Sequence, residues 1–122
     1  MIKRTYPLSR LRRTRAKIFL RDLTAENNLS INDLIQPIFI SDQSENKIEI
    51  SSMPGIFRHN LDSLYAEVES LIQVGIKSIA IFPAIDGSKK DQDGSHALDQ
   101  SNIVCSALEG LSERFPDIIK IA

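Results

Sequence analysis

Two Asp-Gly-Ser triplets, Asp86-Gly87-Ser88 and Asp93-Gly94-Ser95, bracket Lys89, Lys90 and Asp91 in a polar run just after the apolar segment Ile79-Ala80-Ile81-Phe82. Tight glycine turns, backbone N–H groups and a lysine are the parts of a phosphate cradle. The spacing is not that of one. Neither G-x-x-x-x-G-K-[ST] nor G-x-G-x-x-G occurs, so Asp86–Lys90 reads as an exposed turn with solvated lysines. Metal chemistry needs converging His, Cys or carboxylate donors. His59 stands before a helix and His96 in the polar run, and with no H-x-x-x-H or C-x-x-C both read as surface or capping residues. Asp91, Asp93 and Asp99 approach a Ca²⁺ loop, but the twelve-residue pattern with its terminal glutamate fails. Cys105 lies beside the apolar face of a helix and reads as a structural thiol. Glu67 and Glu69 read as a solvated helix face, and no Ser/His/acid order or nucleophile elbow is present. Residue chemistry alone therefore names no catalytic and no metal-binding group. Position singles out residues 75–95 instead, because loops leaving the carboxyl ends of strands carry ligand chemistry in α/β folds.

The elements that must position this run follow from periodicity. Residues 1–15 contain Pro7 and show no apolar period, which predicts an extended arm. Ile18, Phe19, Leu20 and Leu23 predict a short amphipathic helix within 16–26, stopped by Asn27-Asn28. Ser30 with Asp33 three residues on is a variant capping box for a single turn ended by Pro37, after which Ile38-Phe39-Ile40 reads as the first buried strand. Ile48-Glu49-Ile50 alternates like a surface strand, and Ser51-Ser52-Met53-Pro54-Gly55 is a turn. Leu61, Leu64, Tyr65, Val68, Leu71 and Ile72 give the clearest helical period in the chain, with Asn60 placed to cap it and Gly75 placed to end it. Ser78–Phe82 reads as a buried strand ended by Pro83. Ile103, Val104, Ala107, Leu108 and Leu111 line a second helix, capped by Asp99 or Ser101 and closed by Pro116, and Ile118-Ile119-Lys120-Ile121 starts a third strand. Strand, helix, strand, helix, strand predicts parallel strands joined by crossovers. Two helices cannot cover both faces of such a sheet, so an apolar edge is expected to stay open.

Composition sets the class. With 122 residues, 42% apolar and 25% charged, the chain suits one soluble domain with a real core. No apolar run reaches the roughly 18 residues of a membrane span, and the basic start lacks a secretory h-region, so no membrane partner and a cytoplasmic location are expected. A lone cysteine agrees with a reducing compartment. The net charge of −1 hides an asymmetry: Lys3, Arg4, Arg10, Arg12, Arg13, Arg15, Lys17 and Arg21 all precede the first acid, Asp22. A basic arm on an acidic body contacts something negative. Tyr6 is the only aromatic in residues 1–15 available for base stacking, so the arm is read as docking on another subunit rather than on nucleic acid.

Several stretches taken together resemble the porphobilinogen synthase (5-aminolevulinate dehydratase) family. They are Arg10-Leu11-Arg12-Arg13, Leu29-Ser30 with Asp33-Leu34-Ile35, Pro37-Ile38-Phe39-Ile40, Ile50-Ser51-Ser52-Met53-Pro54-Gly55-Ile56, Gly75-Ile76 running to Ile81-Phe82-Pro83, and Lys90-Asp91 with Gly94-Ser95. Their order and spacing over nearly the whole chain carry the match. The resemblance implies a (β/α)8 TIM barrel preceded by an arm that wraps a neighbouring subunit, with a homo-octamer as the active form. It implies a hydro-lyase of haem and tetrapyrrole biosynthesis that condenses two 5-aminolevulinate molecules to porphobilinogen. In that family two lysines hold the substrates as Schiff bases and Zn²⁺ or Mg²⁺ commonly assists.

On this resemblance, residues 1–15 correspond to the oligomer arm, with Arg10, Arg12 and Arg13 in it, and residues 16–122 to the first third of the barrel, a βαβαβ portion of an incomplete α/β fold. A complete barrel takes about 250 residues. The family's metal loop and both Schiff-base lysines come later than the matched stretch. Lys89, Lys90 and Lys120 do not match the lysine positions, and Cys105 does not match a metal ligand. The chain by itself is therefore expected to be inactive, with Phe82, Asp86, Lys89 and Lys90 forming the wall or rim of a substrate pocket completed elsewhere. Two other classes stay open: a non-catalytic interaction module that binds a synthase subunit through the basic arm, and an α/β nucleotide-binding domain, against which the missing phosphate motifs argue.

Overall fold

The computed structural model describes Thr5 and residues 12–122 of the chain. Arg10, one of the three arm arginines, lies outside them.

The strongest sequence period becomes the central helix. Leu64, Val68 and Leu71 are the buried stripe of α2 (Leu61–Gln73). Asn60 caps it by accepting from the Ser63 N–H at 3.0 Å. Its far end closes as the period predicts: Gly75 N–H donates to Ile72 O at 2.9 Å and Ile76 N–H to Leu71 O at 3.0 Å, the paired bonds of a Schellman motif. Gly75 holds φ +89, where a side chain is strained, and a Cβ there would come within 3.0 Å of Ile31 Cδ1.

Five strands form one sheet in the order β2-β3-β1-β4-β5: β1 (Gln36–Ser41), β2 (Lys47–Glu49), β3 (Phe57–His59), β4 (Ser78–Ala84) and β5 (Ile119–Ile121). β1, β4 and β5 are parallel neighbours, as the alternation with α2 and α3 (Ile103–Arg114) requires. The register places Ile38 opposite Ile81 and Lys120 opposite Ile79, so Ile38, Ile40, Ile79 and Ile81 share one face. That face is buried in a single core with Leu64, Val68, Leu71, Ala107, Leu111 and Ile118. Both helices therefore lie on the same side. The opposite side carries Pro37, Phe39, Ala80, Phe82, Ile119 and Ile121, where Phe82 is 48% and Ile119 60% exposed. The open apolar surface expected from counting helices is thus a whole sheet face rather than only an edge.

Several expectations need correction. Phe57–His59 is a strand that the period did not reveal; it is three residues long and squeezed between a turn and a helix cap, too short for alternation to register. It pairs parallel to β1 and antiparallel to β2, so the sheet is mixed rather than purely parallel. Pro83 does not end β4, which continues to Ala84 with Pro83 opposite Ile40. β5 accompanies β4 only as far as Ala80, so beyond that point a residue without N–H disturbs no ladder on that side. Pro37 likewise stands inside β1, the preceding turn (Ile31–Asp33) having closed earlier with the expected Ser30/Asp33 capping box. Finally, α3 is capped by Asn102, which accepts from Cys105 N–H at 2.9 Å, not by Asp99 or Ser101.

The N-terminal helix α1 (Ile18–Leu23) forms inside its expected range but buries none of its residues. Ile18, Phe19 and Leu23 are 68%, 63% and 81% exposed. No helix among the described residues is long and apolar enough to cross a membrane.

His59 differs from its surface reading because β3 carries it under α2, where it is 5% exposed. Its Nδ1 lies 3.2 Å from Ser63 Oγ, and that hydroxyl donates to the Asn46 carbonyl. Glu67, half-buried rather than fully solvated, pairs with Lys47 at 3.9 Å. Burial holds the His59 imidazole below its usual 6.5, with Lys47 adding to this and Glu67 opposing it. The unfolded chain therefore takes up this proton first as pH falls. The stability that neutral His59 contributes is complete above about pH 6.5 and is lost as pH drops from there through the folded value. Urea unfolding between pH 7 and 5 should show a loss of stability that His59→Gln reduces; equal slopes in the two proteins would refute this role.

Candidate functional site

Asp42 and Ile85 leave the sheet side by side, because β1 and β4 end in register at Ser41 and Ala84. The loop of residues 85–101 that follows β4 holds most of the chemistry-bearing residues, and three Asp–Ser contacts give it shape. Asp86 accepts from Ser88 N–H at 2.8 Å and Ser88 Oγ–H at 2.6 Å, as N-cap of the 3-10 turn Gly87–Lys89. Asp91 accepts from Ser95 N–H at 2.9 Å and from the Ser95 hydroxyl, with Gly94 at φ +66 between them. Asp99 accepts from Ser101 N–H at 2.8 Å and Ser101 Oγ–H at 2.7 Å. Each serine thereby holds its carboxyl below the ordinary carboxylate range, the hydroxyl bond contributing most. The Lys-Asp-x-x-Gly-Ser signature is thus a self-closing turn: the acid binds the serine and glycine supplies the left-handed residue.

Lys89 reaches back across the sheet end and forms a hydrogen-bonded ion pair with Asp42. That bond raises the lysine above its usual value and lowers Asp42 below its own. Lys89 is therefore an ammonium throughout the physiological range, whereas attack on a carbonyl needs the neutral amine. It can meet an anion but is poorly suited to form a Schiff base.

Three clefts open at this end; one is lined by loop residues alone, and two reach β4 and α3. One of about 450 Å³ is walled by Pro83, Ile85, Ala97 and Val104, with Lys89, Lys90, Asp91, His96 and Cys105 on its rim. The second, about 380 Å³, lies toward β1 and includes Asp42, Lys89, His96, Asp99 and Asn102. Of the four residues expected at a pocket wall or rim, the structure brings Lys89 and Lys90 together with His96. Asp86 is occupied in its own turn and lines none of these clefts. Phe82 lies on the helix-free face, its ring centroid 5.8 Å from that of Phe39. Asp42 was missed by sequence reasoning. The available signal was position: it is an acid directly after the first buried strand, the same place in the fold that drew attention to residues 85–95. Among the described residues no three His, Cys, Asp or Glu side chains gather as a metal donor set. Arg12 and Arg13 are exposed beside α1.

The family model of delta-aminolevulinic acid dehydratase matches residues 8–122. The delta-aminolevulinic acid dehydratase of Chlamydia pneumoniae is 39% identical over 113 residues, 93% of this chain and 34% of the relative. That of Helicobacter pylori (strain J99) is 41% identical over 114 residues, 93% of this chain and 35% of the relative. The crystal structure of delta-aminolevulinic acid dehydratase (porphobilinogen synthase) from Toxoplasma gondii ME49, in complex with the reaction product porphobilinogen, superposes with a TM-score of 0.83 at 32% identity. It covers 92% of this chain and 32% of the neighbour's. The chain thus spans about a third of the length of the relatives it matches, and its one-sided α/β sheet corresponds to part of a TIM barrel.

Proposed function

The chain belongs to the delta-aminolevulinic acid dehydratase family, and on that premise we propose that the protein carrying it condenses two 5-aminolevulinate molecules into porphobilinogen with loss of two waters. The observation that carries the reading is the family match over residues 8–122 on a backbone that keeps both helices to one side of its parallel strands. In a barrel the bare face is the lumen. Phe82 and Phe39 then form part of the lumenal wall at the catalytic end, and Lys89 and Lys90 stand on the rim, with Asp86 shaping it. Lys90 suits the carboxylate end of the substrate, whereas the charge of Lys89 is taken up by Asp42, so Lys89 tethers the rim and is not a nucleophile.

The described residues gather no donor set that fits the family's Zn²⁺ or Mg²⁺. Lys89, Lys90 and Lys120 do not match the family's Schiff-base positions, so on this reading the 122 residues alone are inactive and act as the arm (1–15) and first third of the barrel (16–122). The arm docks on a neighbouring subunit of a homo-oligomer. Its support is the cationic run through Arg12 and Arg13 beside the exposed apolar α1, a surface that combines charge with area to bury.

A chimaera tests this reading. Residues 8–122 replacing the matching third of the Helicobacter pylori relative should give a protein that forms porphobilinogen from 5-aminolevulinate, while the 122-residue chain alone forms none. A folded but inactive chimaera would sink the assignment, and turnover by the short chain would sink the claim of inactivity. Light scattering on the chimaera with and without its arm should show a smaller assembly after deletion; unchanged mass would remove the docking role.

A further inference from the structure

The Asp–Ser bonds of the 85–101 loop span two to four residues, so they fix the shape of each turn but not the place of the loop over the sheet. Asn102 ties the far half of the loop to α3, its side-chain amide donating to the His96 and Ala97 carbonyls at 3.5 Å, and one contact seats the near half. Lys89 pairs with Asp42, 47 residues away in sequence, and so joins the loop after β4 to the loop after β1. The other ion pair among the described residues, Lys47 with Glu67, ties β2 to α2 and does not touch this end. Lys89 lines both clefts that reach β4 and α3, as do Ile85, His96 and Asn102. Lys89 therefore borders both spaces.

We infer that Asp42 and Lys89 are a positioning pair that seats the 85–101 loop at the mouth, and through it Lys90 and His96 at the cleft rim. The inference rests on the proposed porphobilinogen synthesis for its kinetic consequence, but the seating of the loop can be measured without it. Asp42 touches Lys89 and no reacting atom, so its effect must pass through the position of the loop. Both side chains are a little under half exposed, which limits the pair to roughly a five-fold bias between seated and released loop.

The experiment uses the active chimaera. Asp42→Asn and Lys89→Met should each raise KM for 5-aminolevulinate about three- to five-fold and leave kcat within about two-fold. The double charge reversal Asp42→Lys with Lys89→Asp should restore most of the loss, and added salt should raise the KM of the parent more than that of the single variants. Hydrogen exchange at amides 86–99 should quicken in both single variants while β1 and β4 amides stay protected. Unchanged exchange at those amides, or a charge reversal that recovers nothing, would overturn the pair. A chimaera with no activity would refute the proposed reaction instead, and the exchange measurement would still decide on the seating of the loop.

Discussion

Ile79→Ala should lower the unfolding free energy of the chain by about 2–5 kcal/mol, whereas Ile119→Ala should cost well under about 1 kcal/mol. Both residues are isoleucines in adjacent parallel strands. Ile79 faces the helices and is fully buried among α2 and α3 side chains, so truncation removes transfer free energy and leaves a cavity that rigid neighbours fill only in part. Ile119 pairs with Ser78 on the helix-free face and is already 60% exposed, so little is lost. Urea unfolding of the two variants measures the contrast directly. Equal costs would mean that the bare face is packed, contrary to the one-sided layering on which the lumen assignment depends. In the chimaera, where the proposed barrel encloses that face, the Ile119→Ala cost should rise towards that of Ile79→Ala.

Gly110→Ala should destabilise the chain by about 1–3 kcal/mol, although alanine is intrinsically the better helix former by about 1 kcal/mol. Gly110 stands in α3 where the Tyr65 ring of α2 crosses it. An added Cβ would lie 2.0 Å from the Tyr65 hydroxyl oxygen and 2.9 Å from Cζ. The ring would have to swing away, giving up its helix contact and the Arg114 guanidinium, which stacks 4.0 Å from its centroid. A double-mutant cycle isolates the cause: in a Tyr65→Ala background the same Gly110→Ala change should become neutral or stabilising, because propensity then acts without the clash. If the cost persists without Tyr65, the close approach of the two helices is not what glycine serves here.

Much of the fold was legible because it depends on local period and capping. The α2 stripe, the Asn60 cap, the Gly75 terminus and the Ser30/Asp33 box each involve residues within a few positions of one another, and each was found where the spacing put it. Phe57–His59 was not legible: a three-residue strand has no period, and it exists because β1 offers it an edge. His59 changed character for the same reason, from a presumed surface residue to a buried one.

The candidate site divides in the same way. The sequence placed residues 85–95 at the carboxyl end of a strand, and the order of its motifs carried the family resemblance, since both are properties of the chain read in line. It did not place Asp42 against Lys89, because 47 residues and the strand order β1-β4 intervene. Nor did it separate Phe82, on the bare sheet face, from Lys89 and Lys90 at the clefts. Sequence by itself determined the helices and the longer strands, because those follow from side-chain spacing and backbone preference. Tertiary structure decided which face is covered and which charges meet, because these depend on distances between elements that no local spacing encodes.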